Sequence, residues 1–339
     1  MTMPDRSSKP YKIKAPPQLS ALFPLLLSYH LDIRSSRGGN SRIIRRLQID
    51  LSGVDEIDVL GAVAFASNLA KSMELHPEFE IQIIQPNDRT VLSFLENLRF
   101  TRLLLQLGMN VNITPDFWRE DEIDKEINSI HFPNGNELLL FIPKVPQNER
   151  EKVLGKLLKE VKTFLKMHAS ANINHTQLHP IFHEIIKNTI DHSSNVGILA
   201  LKITYLEKTS HQLHFVHCEM GRGIALHVRD YLSQSSDPVE IRLADKGSTS
   251  DFLQWAFTPG KSTKLHSGVN AGLGLASIKA AAKGGNIRVY CSDARSIAYV
   301  TEFPTEPTHK QLRKRLYHTH PVPCFMYFGE TNPKVKRNA

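Results

Sequence analysis

Apolar and polar residues follow two rhythms along this chain, and the points where the rhythm changes mark its elements. Ile44 to Leu51 (IRRLQIDL) reads as a strand that stops at Ser52-Gly53. Val59 to Met73 is rich in alanine and branched apolar residues and predicts a helix. Phe79 to Ile84 alternates again as a strand, closed by Pro86-Asn87. Thr90 to Leu107 returns to helical spacing, with Leu92, Leu95, Leu98, Leu103 and Leu104 as core candidates. Leu138 to Ile142 predicts a strand and Glu149 to Met167 a long amphipathic helix. Further strands fall at Gly197 to Tyr205, Leu213 to Cys218, Ile287 to Cys291, around Ser296 to Val300, and at Cys324 to Phe328. Strands alternating with helices imply an α/β (α+β) protein whose sheets are covered by helices.

One further helix stands apart. It begins near Thr176 to Leu178, where Pro180 is tolerable only in the first turn, and runs to His192. At about 100° per residue, Phe182, Ile185, Ile186, Thr189 and Ile190 share one side. Glu184, Asn188 and Asp191 share the other, one turn apart. An acid, an amide and an acid in one row can hold a cation and a water together. Two glycine-bearing stretches follow: Glu219-Met220-Gly221-Arg222-Gly223 after a strand, and Gly268 to Leu275 (GVNAGLGL) ahead of the helical pattern Ala276 to Ala280.

Composition narrows the class without naming a chemistry. The 339 residues are enough for two domains with real cores. With 41% hydrophobic and 22% charged residues, the chain has the make-up of an ordinary globular protein. Three cysteines (Cys218, Cys291, Cys324) and no CxxC fit a reducing, cytoplasmic compartment, without a disulfide framework or a cysteine zinc site. No run approaches the roughly 20 apolar residues that span a bilayer, so no membrane partner is expected. The net charge of +8 gathers at Arg42-Arg45-Arg46, Lys310 to Arg315 and the tail Lys334 to Arg337. Such clusters can contact phosphates, but more often they are solvated faces and frayed ends. A nucleic-acid partner therefore ranks below a protein partner.

In order and spacing, Glu184 to His192 and the two glycine stretches resemble the N-box and glycine boxes of the GHKL ATPases. The resemblance runs from about Lys144 to Tyr290. It implies a Bergerat-type α/β sandwich with a mixed sheet, binding ATP and Mg²⁺. It gives Asn188 the role of Mg²⁺ ligand and Glu184 that of the catalytic carboxylate. Glu184 would polarise a water in an ATPase, or activate the acceptor hydroxyl in a serine/threonine kinase similar to the anti-sigma kinases. Asp191 matches the acid of gyrase-like members, and His192 the histidine of the kinases. Glu219, with Gly221 and Gly223, falls on the adenine side. Gly272, Leu273, Gly274 and Leu275 form the loop whose backbone N–H groups meet phosphates at a helix N-terminus. Phe257 to Lys264 resembles the segment entering the family's ATP lid, with Lys264, Lys261 and Thr263 as nucleotide contacts. Two departures stand out: Glu219 replaces an aspartate, and Asn270 and Ala271 thin the second glycine box.

The earlier half is similar to a STAS domain on a weaker basis, a strand followed by Asp58-Val59-Leu60-Gly61 opening a helix. Leu60 occupies the place of the phosphorylatable serine, so docking or dimerisation is the expected role there. The expected layout is a flexible tail (1–15), a STAS-like domain (16–112), a linker (113–136), a GHKL-type domain (137–330) and a basic tail (331–339). A homodimer fits this layout. Two other functions remain open on these residues: a nucleotide-gated interaction module without turnover, and a nucleic-acid-associated GHKL ATPase. Two competing motifs fail on single residues. A Walker A loop ending at Gly260-Lys261-Ser262 needs glycine where Trp255 stands, and HExxH beginning at His183 needs histidine where Lys187 stands. The 16 histidines read as scattered surface and core residues.

Overall fold

A computed structural model describes residues 11–15, 17–19, 46–75, 80–107, 112–113, 129–131, 135–169, 173, 175–192, 196–207, 210–219, 223–261, 285–292, 297–301, 308–311 and 325–331. The chain divides into two compact units, 1–126 and 127–339, and mixes α and β structure in both.

In the first unit, β1 (Tyr11–Lys14), β3 (Arg46–Asp50), β5 (Glu80–Ile84) and β6 (Asn112–Ile113) form a parallel sheet in the order β1-β3-β5-β6. Two short strands, β2 (Gln18–Leu19) and β4 (Glu56–Ile57), pair separately. Helix α1 (Val59–Leu75) links β3 to β5, as parallel neighbours require a crossover. Leu47, Ile49, Ile81 and Ile83 of the central strands are buried, as is every residue of α1 from Gly61 to Ser67. The Asp58 carboxylate accepts from the Gly61 N–H at 2.8 Å and closes the first turn of α1.

Three expectations need correction here. Residues 11–14 of the expected flexible tail are strand β1: Ile13 and Ala15 are buried while Lys12 and Lys14 are exposed, a period of two against β3. The helix expected over Thr90 to Leu107 is two helices, α2 (Arg89–Asn97) and α3 (Phe100–Gln106). Arg99 between them takes a left-handed φ of 53°, and that break buries Leu98, Phe100, Leu103 and Leu104 together. The Phe100 ring stacks on Phe65 of α1 at 5.8 Å. Finally, the expected linker 113–136 contains the end of β6 and strand β7 (Ser129–His131), whose backbone pairs with Leu138 to Leu140.

The second unit is built on an eight-stranded sheet among the described residues. Its other strands are β8 (Glu137–Ile142), β9 (Gly197–Glu207), β10 (Ser210–Glu219), β11 (Gly285–Ser292), β12 (Ile297–Thr301), β13 (Thr308–Gln311) and β14 (Phe325–Thr331), in the order β13-β12-β11-β14-β10-β9-β8-β7. Every pairing is antiparallel, where a mixed sheet was expected. The connection from β8 to β9 shows why. It consists of two helices, α4 (Arg150–Met167) and α5 (His175–His192), rather than one. Arg150 at the start of α4 pairs with Asp191 near the end of α5, so the helices form an antiparallel hairpin. The chain therefore returns to the end of the sheet it left, and Gly197 at the start of β9 lies opposite Ile142 at the end of β8.

The core of this unit fills the space between the sheet and its helices. Leu154, Leu157, Val161 and Phe164 of α4 meet Phe182, Ile185 and Ile186 of α5, over Leu138, Leu199, Leu201 and Phe215. Helices α6 (Ile224–Ser233), α7 (Pro238–Lys246) and α8 (Thr249–Ala256) follow β10 and extend the same core with Val228, Leu232, Ala244, Phe252 and Leu253. Among the described residues no helix is long and apolar enough to cross a membrane.

Candidate functional site

Helix α5 carries the row that the sequence singles out. It begins at His175, which makes Pro180 its sixth residue, past the first turn where proline costs nothing. Phe182, Ile185, Ile186, Thr189 and Ile190 are buried, while Glu184, Asn188 and Asp191 are half-buried on the neighbouring stripe. The periodicity reading of this helix holds at each of these eight positions.

The three polar residues of that row differ in their surroundings. Asp191 accepts from Lys187 Nζ at 3.0 Å, one turn back, and from Arg150 Nη1 at 3.5 Å. Its carboxylate is thus the counter-ion of two cations and ties α5 to the first residue of α4. Glu184 Oε1 has His183 Nδ1 at 3.5 Å, with 22% of its side chain exposed. Asn188, midway between them, is half-buried with its amide on the same stripe.

Strand β10 supplies the other half of the site. Side chains of a strand alternate between faces, so Phe215, His217 and Glu219 share one face. That face meets α5. The Phe182 and Phe215 rings cross edge-on at 5.2 Å, and Thr189 Oγ1 lies 2.8 Å from His217 Nε2. Thr189 also donates its hydroxyl proton to the Ile185 carbonyl at 3.0 Å. With that proton committed, its oxygen accepts, and the contact assigns the His217 proton to Nε2. Full burial pushes the imidazole down to about 3, and it is neutral at any ordinary pH. Glu219 ends the strand two residues on and is also buried.

Gly197 makes this approach possible. It is the cross-strand partner of Glu219, and a Cβ there would stand 2.5 Å from Thr189 Cγ2 and 3.3 Å from the Cys218 carbonyl. Real Cβ atoms do not come that close. Only a residue without a side chain lets α5 settle against the ends of β9 and β10. Opposed residues of an antiparallel pair have Cβ atoms about 5 Å apart. Glu219 is therefore a near neighbour of the Thr189 contact, and α5 and Glu219 lie together at one end of the sheet.

Gly223 follows the strand with φ 80° and ψ 159°, a conformation open to glycine alone, and opens α6. Lys261, expected as a nucleotide contact, has partners within the fold. Its Nζ is 2.8 Å from Glu240 Oε1 and 5.6 Å from the centre of the Trp255 ring. Glu240 also accepts from Ser235 Oγ at 2.8 Å and Trp255 Nε1 at 3.4 Å. The ion pair fastens the residues after α8 to α7. Glu240 was not among the sequence candidates, because nothing in the local pattern links it to a lysine twenty-one residues away. The helices around it had readable signals, a Pro238 start after Asp237 and a Ser248–Asp251 capping box.

The Lys261 hydrogen bond, ahead of that from Ser235, holds Glu240 below its ordinary 4.5, and Glu240 in turn raises Lys261 above 10.5. The carboxylate's contribution is complete above 4.5 and is lost as the pH falls through its lowered value. The ammonium's is complete below 10.5 and is lost as the pH rises through its raised value. Lys261→Met is expected to lower stability at pH 7 by up to about 1 kcal/mol, since Lys261 is 40% exposed. In thermal melts at several pH values, the difference from the parent should shrink as the pH falls further below 4.5.

Of the remaining sequence candidates, Gly221, Thr263, Lys264, Gly272, Leu273, Gly274, Leu275 and the side chain of His192 lie outside the described residues. So do the helical pattern Ala276 to Ala280 and the tail 332–339. No family model matches the chain, and no curated protein or solved structure does either. Among the described residues, no three His, Cys, Asp or Glu side chains gather as a metal-binding group. A cation held by one amide oxygen, with water and phosphate completing its shell, needs no such group.

Proposed function

We propose that the second unit is a Mg²⁺-dependent ATP-binding module of the GHKL kind, which hydrolyses ATP or passes its γ-phosphoryl group to a protein partner. The observation that carries this reading is the Thr189–His217 contact. It puts the Glu184–Asn188 stripe and the buried Glu219 at the same end of one sheet, from segments about thirty residues apart. The residues present suit the nucleotide. Asn188 offers a hard amide oxygen to Mg²⁺, and the bound ion would neutralise phosphate charge. Glu184, half-buried with His183 Nδ1 at 3.5 Å, would take the proton of a water or hydroxyl in this reading. Glu219 is a buried acceptor suited to an exocyclic amine. Gly223 takes a glycine conformation where α6 opens.

Phosphoryl transfer depends on positioning and charge neutralisation more than on covalent help, so one carboxylate suffices on this side of the site. A module that binds ATP without turning it over is the second reading. Glu219 in place of the family's aspartate, and the thinned second glycine box, favour it. Calorimetry of ATP against the intact chain, with and without Mg²⁺, tests the common ground. Mg²⁺ should strengthen binding in the parent, and Asn188→Ala should lose that enhancement. A variant whose affinity keeps its full Mg²⁺ dependence removes Asn188 from the role of ligand. Turnover of ATP then separates the two readings.

A further inference from the structure

The two halves of the proposed site belong to different elements, α5 and β10, and a nucleotide held by both is sensitive to their spacing. Three residues that touch neither half of the nucleotide in that proposal govern this spacing. Thr189 follows Asn188 directly, and His217 precedes Glu219 by two on the same strand face. Both are 1% exposed, and they are joined at 2.8 Å. Gly197, opposite Glu219, removes the side chain that would hold them apart.

We infer that Thr189, His217 and Gly197 are positioning residues that fix the distance between the Mg²⁺–phosphate end and the base end of the site. This rests on the ATP reading above. An apolar contact would hold helix to sheet equally well but would let the helix slide, because burial has no direction. A hydrogen bond between two buried groups allows one register only, since any slip leaves a desolvated donor unpaired. The neighbouring geometry leaves His217 little choice. The Thr189 hydroxyl already donates to Ile185, so the threonine oxygen can only accept, on lone pairs whose directions that bond fixes. The Phe182–Phe215 contact sits further back along both elements. The polar pair sets the register nearest to Asn188 and Glu219.

A ligand bound at both ends gains over its two parts only when the ends are correctly spaced. The test compares ATP with its pieces, adenosine and Mg²⁺-tripolyphosphate, on the full chain by calorimetry. Thr189→Val should weaken Mg²⁺-ATP by about tenfold or more, while each piece binds within about twofold of the parent. Thr189→Ser, which keeps the hydroxyl, should restore ATP affinity. If Thr189→Val does not fold, Thr189→Val/His217→Leu removes both polar partners at once, a change that is often nearly neutral for stability. It should show the same selective loss of ATP. Unchanged ATP affinity in a folded variant lacking the bond overturns this inference and leaves the ATP reading standing. Equal losses for ATP and both pieces also overturn it, because they mark general damage to the fold. If the unmodified chain binds neither ATP nor its pieces, the site reading falls and takes this inference with it.

Discussion

Glu184→Gln should lower ATP turnover by about 10²- to 10⁴-fold, the usual contribution of a positioned general base, with ATP binding retained. Glutamine keeps the shape of the side chain and one acceptor oxygen but cannot take a proton. The physical case rests on the contrast with Asp191 in the same row. Asp191 is held by Lys187 and Arg150, which ties its carboxylate to the junction of α4 and α5. Glu184 has neither of these cations and remains half-buried on the open stripe of α5. Asp191→Asn should therefore act mainly through the α4–α5 junction. Single-turnover assays with purified Glu184→Gln, alongside a binding measurement, decide the point. Turnover at the parental rate removes Glu184 from the chemistry.

Glu219→Ala should weaken ATP binding by about 5- to 150-fold, matching the roughly 1–3 kcal/mol of a buried polar group left without its partner. Glu219 is 4% exposed at the end of a central strand, so its carboxylate is already out of bulk water. A ligand amine meeting it there has no competing solvent to displace. Glu219→Asp keeps the acceptor and withdraws it by about one bond length, roughly 1.5 Å, and should change affinity much less than alanine. GTP presents a carbonyl where adenine presents an amine, and two acceptors repel. The parent should therefore bind GTP more weakly than ATP. Equal binding of GTP, or parental ATP affinity in Glu219→Ala, would mean that Glu219 reads no base.

The helix row was legible in the sequence because a helix of 3.6 residues per turn writes its faces into the order of residues. The spacing of Phe182, Ile185, Ile186, Thr189 and Ile190 gave the buried side of α5, and Glu184, Asn188 and Asp191 the other. Strands β8, β9 and β10 were legible for the same local reason, in runs that β-structure buries. Short segments were not. Tyr11–Lys14 looks like any lysine-bearing tail until β3 is beside it, because only pairing gives a four-residue strand its stability. The break at Arg99 was hidden because the leucines on both sides keep a helical rhythm through it.

What tertiary structure alone decided is the meaning of residues whose partners are distant in the chain. The sequence put Asp191 and Lys261 among the nucleotide contacts. The fold adds partners that the sequence did not show: Arg150 and Lys187 for Asp191, and Glu240 for Lys261. It also made the sheet antiparallel, because a two-helix connection returns the chain to the end it left. Gly197, His217 and Thr189 carried no signal of their own in the sequence, since a glycine, a strand histidine and a helix threonine are ordinary there. What joins them is a hydrogen bond of 2.8 Å and a spacing so close that a Cβ on Gly197 would meet Thr189 Cγ2 at 2.5 Å. Periodicity reports which face of an element is buried; it carries nothing about what that face meets.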